Sequence, residues 1–336
     1  MDRNNLCPEL HYRQTADGVM LTACYGIDGR IFLPDRIEGK PVTSIAPYTF
    51  SYGSTGKTGA ETAKGGSRGD CVWLSPEARL ASGRKRLAAE EVIEIHLPRH
   101  IREIGNYAFY RCRNMRKLTF HDALPGIGGG ALTGCRFQEV EIYFHNGYQS
   151  ALKSILDEIR FAMSVKFHNM DSSGEPDEWE VLFPEHYEEA VENTPARLLY
   201  TSHHGAGGYY RQCFYERELD YDKYDRLLPR AVAEEEEETV VRLAFLRLAF
   251  PYRLSQAAAE VYRAYLREHM ETAVKWIVDS EDAAKLAFLS ENHYWTRESL
   301  DFGIEYAEQA GQTGLLGVMM DERHKRFPGG KKLFEL

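Results

Sequence analysis

Between Val92 and Phe144 apolar and polar residues alternate in short bursts. Ile93, Ile95 and Leu97 enclose Glu94 and His96, and a second burst follows at Leu118 and Phe120. Each burst is followed by an Ile-Gly pair, an Ala-Phe or Ala-Leu pair and a cysteine. Ile95, Leu97, Ile104, Gly105, Ala108, Phe109 and Cys112 recur as Leu118, Phe120, Ile127, Gly128, Ala131, Leu132 and Cys135, always 23 positions later. Alternation predicts a strand, and the second half of each copy predicts a helical turn. One such unit cannot bury its apolar face alone, so the copies must stack as a solenoid. After Cys135 the register shortens by one residue and places Val140, Ile142 and Phe144 inward. Tyr148, Leu152, Ile155, Leu156 and Ile159 then fall at helical spacing, and Val165-Lys166-Phe167 reads as one more strand. That helix and strand are expected to close the far end.

Upstream, residues 9–50 read as a cap and a first, longer copy. Asp17-Gly18 and Asp28-Gly29 mark turns around strands at Val19 and Leu21 and at Ile31 and Leu33. Ile45, Ala46 and Phe50 align with Ile104, Gly105 and Phe109, and the extra residues before them contain Gly39 and Pro41, which predicts an inserted turn. Residues 51–91 interrupt the pattern. Up to Asp70 they are rich in Gly, Ser, Thr and Lys, a composition that buries little and predicts a mobile surface loop. Pro76 to Glu90 reads as a short basic helix.

These residues carry a resemblance. Leu33-Pro34, Gly39-Lys40-Pro41-Val42-Thr43-Ser44-Ile45 and Phe50, then Leu97-Pro98, Ile104-Gly105-Asn106-Tyr107-Ala108-Phe109 and Cys112, resemble the BspA-like bacterial leucine-rich-repeat family. The spacing of 23 lies within the roughly 20–29 of leucine-rich repeats. The resemblance covers residues 9 to about 168. Ala46 stands where the family has Gly, Thr49 where it has Ala and Leu132 where it has Phe. It implies a β/α solenoid that binds a protein or a surface; many members of the family are exported.

Past Asp171 to Glu180, with Ser172, Ser173, Gly174 and Pro176, the period changes from two to about 3.6. Helices are predicted at 185–191, 222–228, 234–248, 255–269, 271–278, 281–290, 297–309 and 312–326. Ser255, Ser280 and Thr296 stand at helix starts and Gly311 between the last two helices. Short helices joined by brief turns pack as hairpins, resembling ankyrin- or HEAT-like arrays. The expected architecture is therefore multi-domain. A short leucine-rich-repeat β/α solenoid spans 1–169, with its cap and the insert at 51–91; a linker spans 170–180, and an all-α, repeat-like domain spans 181–336.

Composition narrows the function. The chain of 336 residues carries 41 basic and 51 acidic residues, a formal charge of −10, which disfavours nucleic-acid binding through a basic face. No apolar run approaches the roughly 20 residues of a membrane span. The start is polar, which predicts no signal peptide and a cytoplasmic address; a leader upstream of Met1 would make the protein a surface adhesin. The six cysteines form no C-x-x-C pair. Cys112 and Cys135, at equivalent positions, read as small apolar plugs.

Several stretches invite a chemical reading. Gly56-Lys57-Thr58 lacks the upstream glycine of a phosphate loop, since Ser51 holds that position, and Arg68-Gly69-Asp70 is a chance-level tripeptide. The best enzyme or metal candidate is Ser202-His203-His204-Gly205-Ala206-Gly207-Gly208 with Cys213. It lacks a G-x-S-x-G elbow, an H-E-x-x-H pair and a second ligand cluster. The aromatics at 200, 209, 210, 214, 215, 221 and 224 read as packing at a domain interface, with a binding platform as the alternative. Recognition is instead expected at the outward strand positions Glu94, His96, Lys117, Thr119, Glu139 and Glu141, which alternation places in rows on one sheet face. The expected function is a non-catalytic scaffold for an unidentified protein partner, with no cofactor and no metal. One consequence is direct: deleting Ser54 to Asp70 should leave the melting temperature nearly unchanged, because loops tolerate shortening. A large drop would show that the insert is packed.

Overall fold

The computed structural model describes residues 9–52, 70–74, 83–170, 178–193 and 198–328, with the backbone alone at 190–193 and 198–203. By its contacts the chain divides into two units, Met1–Leu227 and Leu228–Leu336.

In the first unit, β1 (Glu9–Gln14) and β2 (Val19–Gly26) form an antiparallel pair. They are followed by β3 (Arg30–Phe32), β4 (Arg36–Ile37), β5 (Lys40–Ile45), β6 (Cys71–Leu74) and β7 (Lys85–Arg86). Strand β5 runs parallel to β2, while β6 and β7 pair antiparallel with β1 and β2. The repeats continue through β8 (Glu94–His96), β9 (Glu103–Ile104), β10 (Lys117–His121), β11 (Glu139–Phe144), α1 (Leu152–Glu158), β12 (Met163–Asn169) and β13 (Glu178–Phe183). They build a six-stranded sheet in the order β13-β12-β11-β10-β8-β3. It is parallel from β3 to β12 and closed by an antiparallel β13.

The register agrees with the expected periods. Ile31 stands opposite Ile95, Ile95 opposite Leu118, Leu118 opposite Val140 and Val140 opposite Val165. All five are buried at 1% exposure or less. Across from the sheet the turns also stack by backbone bonds. Gly105 N donates to Ile45 O at 2.9 Å and Gly128 N to Ile104 O at 2.8 Å. Phe50 N donates to Ala108 O at 2.8 Å and Phe109 N to Ala131 O at 2.9 Å. The copies press so closely that a Cβ at Gly105 would stand 2.5 Å from Pro47 N, and one at Gly128 would stand 2.6 Å from Asn106 N. The thiols plug the interior as expected: Cys112 Sγ reaches Phe50 O at 3.2 Å and Cys135 Sγ reaches Phe109 O at 3.1 Å. Phe50 and Phe109 stack with centroids 5.0 Å apart.

Three expectations are corrected. Within the insert, Cys71–Leu74 is an edge strand on β1, and Asp70 bonds Arg13 and Thr22, so that end of the segment is tied to the sheet. Gly56-Lys57-Thr58 and Arg68-Gly69 lie outside the described residues. The basic helix over 76–90 is not present in its described part. Lys85 and Arg86 pair with Gly26 and Tyr25, which takes their backbone groups, and Ala89–Glu91 makes a 3₁₀ turn. Residues 185–191 are a strand rather than a helix: β14 (Tyr187–Asn193) pairs antiparallel with β15 (Leu198–His204). Local helix preference loses there to cross-strand pairing along the whole length of β15.

The helical part accordingly begins later than 181. Beyond β15 come α2 (Gly207–Tyr210), β16 (Phe214–Tyr215), β17 (Glu218–Leu219) and α3 (Tyr221–Asp225). Trp179 Nε1 donates to Tyr221 Oη at 2.6 Å, Tyr224 Oη donates to Leu182 O, and the Tyr210 and Tyr224 rings meet edge-on at 4.6 Å. These bonds hold residues up to 227 to the end of the sheet. They give the inner tyrosines a packing role within the first unit.

The second unit is helical: α4 (Leu228–Glu234), α5 (Glu237–Ala249), α6 (Gln256–Glu268), α7 (Met270–Asp279), α8 (Ala283–Glu291), α9 (Arg297–Gln309) and α10 (Thr313–Arg326). Ser255 and Thr296 cap helix starts as expected, and Thr296 shares a reciprocal capping box with Ser299. Ser280 instead ends α7, and Asp282 caps α8 by accepting from Ala284 N and Lys285 N. Gly303 lets neighbouring helices close on α9, since a Cβ there would meet Met319 Sδ at 2.8 Å and Val274 Cγ1 at 2.9 Å.

Ala108 lies at 0% exposure between stacked copies, so Ala108→Asp should cost more than about 4 kcal/mol by burying an unpaired charge. A thermal melt like that of the unchanged chain would contradict the stacked arrangement.

Candidate functional site

Successive residues of a strand point to opposite faces, and in-register parallel neighbours bring equivalent side chains about 4.8 Å apart. Apolar residues take the inner face of the six-stranded sheet, which leaves rows of other side chains on the outer one. The first row runs Arg30, Glu94, Lys117, Glu139 and Ser164. The second runs Phe32, His96, Thr119, Glu141, Lys166 and Glu180. A third, nearer the carboxyl ends of the strands, runs His121, Tyr143, His168 and Glu178.

All six expected residues lie on this face, and their surroundings differ. Glu139 is exposed, Glu94, His96, Lys117 and Glu141 are half-buried, and Thr119 is only 4% exposed. Its short side chain stands between the longer His96 and Glu141 and sinks below them. Thr119 is thus a floor position rather than the exposed one expected. Sequence reasoning also stopped one row short. Phe32, His121, Tyr143, Lys166 and His168 share the face, and extending the alternation by two residues and the repeat by one strand locates all but Phe32. That residue was reachable only through the alignment of Leu33 with Leu97.

Charges on the face are matched along and between rows. Lys117 Nζ meets Glu141 Oε1 at 2.7 Å and Lys166 Nζ meets Glu178 Oε1 at 2.9 Å. Burial raises the Glu141 carboxyl, but the bond to Lys117 more than offsets this and holds it below its ordinary range. Burial lowers the Lys166 ammonium, and Glu178 reverses that, so it stands raised. Aromatic contacts link the rest. The Phe32 and His96 rings stack at 4.0 Å and the Tyr143 and His168 rings at 4.4 Å. His121 Nδ1 lies 2.9 Å from His145 Nε2, so one imidazole donates to the other.

That arrangement keeps the imidazoles neutral. Burial, reinforced by His145, pushes His121 down to about 4. Burial also lowers His96, His145 and His168, with Lys117, Arg99 and Lys166 adding to the effect in turn. His96 Nε2, Thr119 Oγ1 and His168 Nε2 are buried without a hydrogen-bond partner among the described residues. A buried polar atom left unsatisfied is costly, and a docked partner is one source of the missing bond. No group of three or more His, Cys, Asp or Glu side chains among the described residues is placed to hold a metal ion.

The other candidate disperses. Cys213 is buried at 3% exposure, its Sγ meets Tyr209 O at 3.5 Å, and burial raises its thiol to about 12, so it is no thiolate at neutral pH. His204 is half-exposed beside the Tyr187 ring and 3.6 Å from Glu189. The His203 side chain lies outside the described residues; its backbone pairs with Glu188. The glycines that follow serve close packing, because a Cβ at Gly207 would stand 2.0 Å from Glu185 O. No helix among the described residues is long and apolar enough to cross a membrane.

Residues 85–172 match the family described as BspA type leucine rich repeat region, in six copies. The stacking seen here begins earlier, since β3 and β5 already pair with β8 and β9. Comparison with curated proteins and comparison with solved structures each return no match.

Protonation of these buried imidazoles opposes folding. The unfolded chain takes up protons at 6.5 that the folded chain refuses down to about 4 at His121. Stability from this group is fully present above 6.5 and is lost as pH falls towards 4. The urea midpoint should drop across that window, and the drop should shrink in His121→Asn. A midpoint that stays flat in the unchanged chain would show the imidazoles to be solvated.

Proposed function

We propose that the chain is a non-catalytic interaction protein that docks a protein partner on the outer face of its six-stranded sheet. The observation that carries this reading is the face itself. Four parallel strands, β8, β10, β11 and β12, hold Glu94, His96, Lys117, Thr119, Glu139, Glu141 and their neighbours in fixed rows on a rigid support. Leucine-rich repeats suggest the same role, because a rigid ladder of side chains recognises a partner without losing conformational freedom on binding. Internal charge pairing keeps the face soluble before a partner arrives, and the unsatisfied atoms at Thr119, His96 and His168 reward a partner that bonds them. The reading has no place for a cofactor or for a nucleic-acid ligand, since carboxylates outnumber ammonium groups in the rows.

Glu139 is an exposed member of its row, so reversing its charge perturbs docking and leaves the core intact. In capture from lysate of the native cell, Glu139→Arg should lower recovery of the partner at least about tenfold. Glu260→Arg, equally exposed on α6, should leave recovery unchanged. Equal recovery with both variants would remove the sheet face from the interaction.

A further inference from the structure

At the end of the solenoid, away from the sheet face, the first unit contains a cleft of about 420 Å³. This is the size of a small-molecule site, roughly 300–1,000 Å³. Leu156, Asp157 and Arg160 come to it from α1 and the turn that follows, His186 and Glu188 from the start of β14, and Gly208, Tyr209 and Gln212 from α2 and its end. Glycine shapes the floor: Gly205 takes a left-handed backbone at φ 75°, and a Cβ on Gly208 would stand 2.7 Å from the His186 ring.

The state of the charges decides what the cleft can take. Each charged side chain lining it is already engaged within the chain. Asp157 is bonded by Lys153. Glu188 receives Arg160 on Oε2 at 3.0 Å and faces His186 Nε2 with Oε1 at 2.7 Å. The buried Arg211 guanidinium donates to the carbonyls of Pro184, Gly207, Ile159, Arg160 and Phe161. An ionic ligand entering here would lose its hydration and find its counter-charges already committed, which is unfavourable. A neutral ligand carrying many hydroxyls needs no counter-charge, and a group already in an ion pair still bonds a hydroxyl, since a carboxylate oxygen has two lone pairs and a guanidinium five N–H groups. Planar carboxylate, guanidinium and carboxamide groups bond adjacent hydroxyls two at a time, and the Tyr209 ring, 46% exposed at the wall, offers a flat surface to the C–H face of a sugar ring.

We propose that this cleft is a binding site for a neutral sugar, a single pyranose ring or a disaccharide, stacked on Tyr209 and bonded by Arg160, Glu188 and Gln212. It goes beyond the docking role of the sheet face and rests on different residues. The proposed role is confined to binding, because the lining carboxylates Asp157 and Glu188 are held in ion pairs by Lys153 and by Arg160 and His186.

Saturation-transfer NMR on the full chain tests this with methyl α-glucopyranoside, methyl β-galactopyranoside, N-acetylglucosamine and maltose, against glucosamine and glucuronate as charged comparators. At least one neutral sugar should bind with a Kd on the order of 1 mM, and the charged comparators more weakly. Tyr209→Ala and Gln212→Ala should each weaken binding about tenfold, or about 1.4 kcal/mol. Tyr215→Ala, at a ring 72% exposed and outside the cleft, should leave it unchanged. Tyr209 and Gln212 are exposed, so both variants keep the fold, which their melting temperatures verify. The proposal is overturned by the absence of transfer from all neutral sugars, by binding that survives both cleft variants, or by tighter binding of a charged comparator.

Discussion

Everything in the first unit depends on the bond between one turn of the coil and the next. A single copy has one strand of three to six residues and one turn, far too little to bury its own apolar face. The copies become stable only as a stack, where each strand bonds the next and each turn donates its backbone N–H groups to the carbonyls of its neighbour. The glycines at 105 and 128 and the thiols at 112 and 135 follow from that closeness. A Cβ would hold the turns apart, and a bulky side chain would not fit where a thiol reaches a carbonyl. The same closeness sets the left-handed positions: Tyr48, Tyr107 and Gly130 repeat at φ 62°, 57° and 66°. The glycine appears where the Tyr107 ring lies 2.4 Å from the place a Cβ would take.

Stacking also determines what the outer face can be. Parallel register fixes which side chains become neighbours, and the strand spacing is close to the separation of two stacked rings. Aromatic and imidazole groups therefore stack along the rows, as Phe32 does with His96 and Tyr143 with His168. Lysines and glutamates pair on the diagonal, with Lys117 reaching Glu141 rather than either residue directly opposite. The consequence is a face whose imidazoles are too crowded to be protonated at neutral pH. Its character is that of a polar, hydrogen-bonding surface more than a charged one.

The repeat was legible in the sequence because stacking punishes every departure from the period. The inward residues, the Ile-Gly and Ala-Phe pairs, the cysteines and the one-residue shortening after Cys135 all stand where alternation and spacing place them. Most of the helices of the second unit were legible for the same reason, through the 3.6 period and the caps at Ser255 and Thr296. Residues 178–219 were not. In β14 the run Glu188-Glu189-Ala190 favours a helix on local grounds; only the partner strand reverses the preference, and the pairing is invisible in either segment alone. The burial of Thr119 was hidden in another way, since alternation reports which face a residue occupies and says nothing of how tall its neighbours are.

The least periodic part of the first unit is also where its chemistry is least constrained. A parallel stack ends in an open strand edge, which must be covered. Here β13 turns antiparallel, with Trp179 laid on Phe167 at 5.2 Å and on Phe144 at 6.1 Å. The chain then folds back through β14 and β15, and Arg211 ties the carbonyls at 159–161 to that of Pro184. A residue inside the stack must match its counterparts above and below, so it has little freedom to line a cavity. Residues in the closing segment answer only to the one edge they cover. They can spend a buried arginine on backbone carbonyls and leave a cleft between α1 and β14, which no interior copy could do without breaking the ladder on which the fold depends.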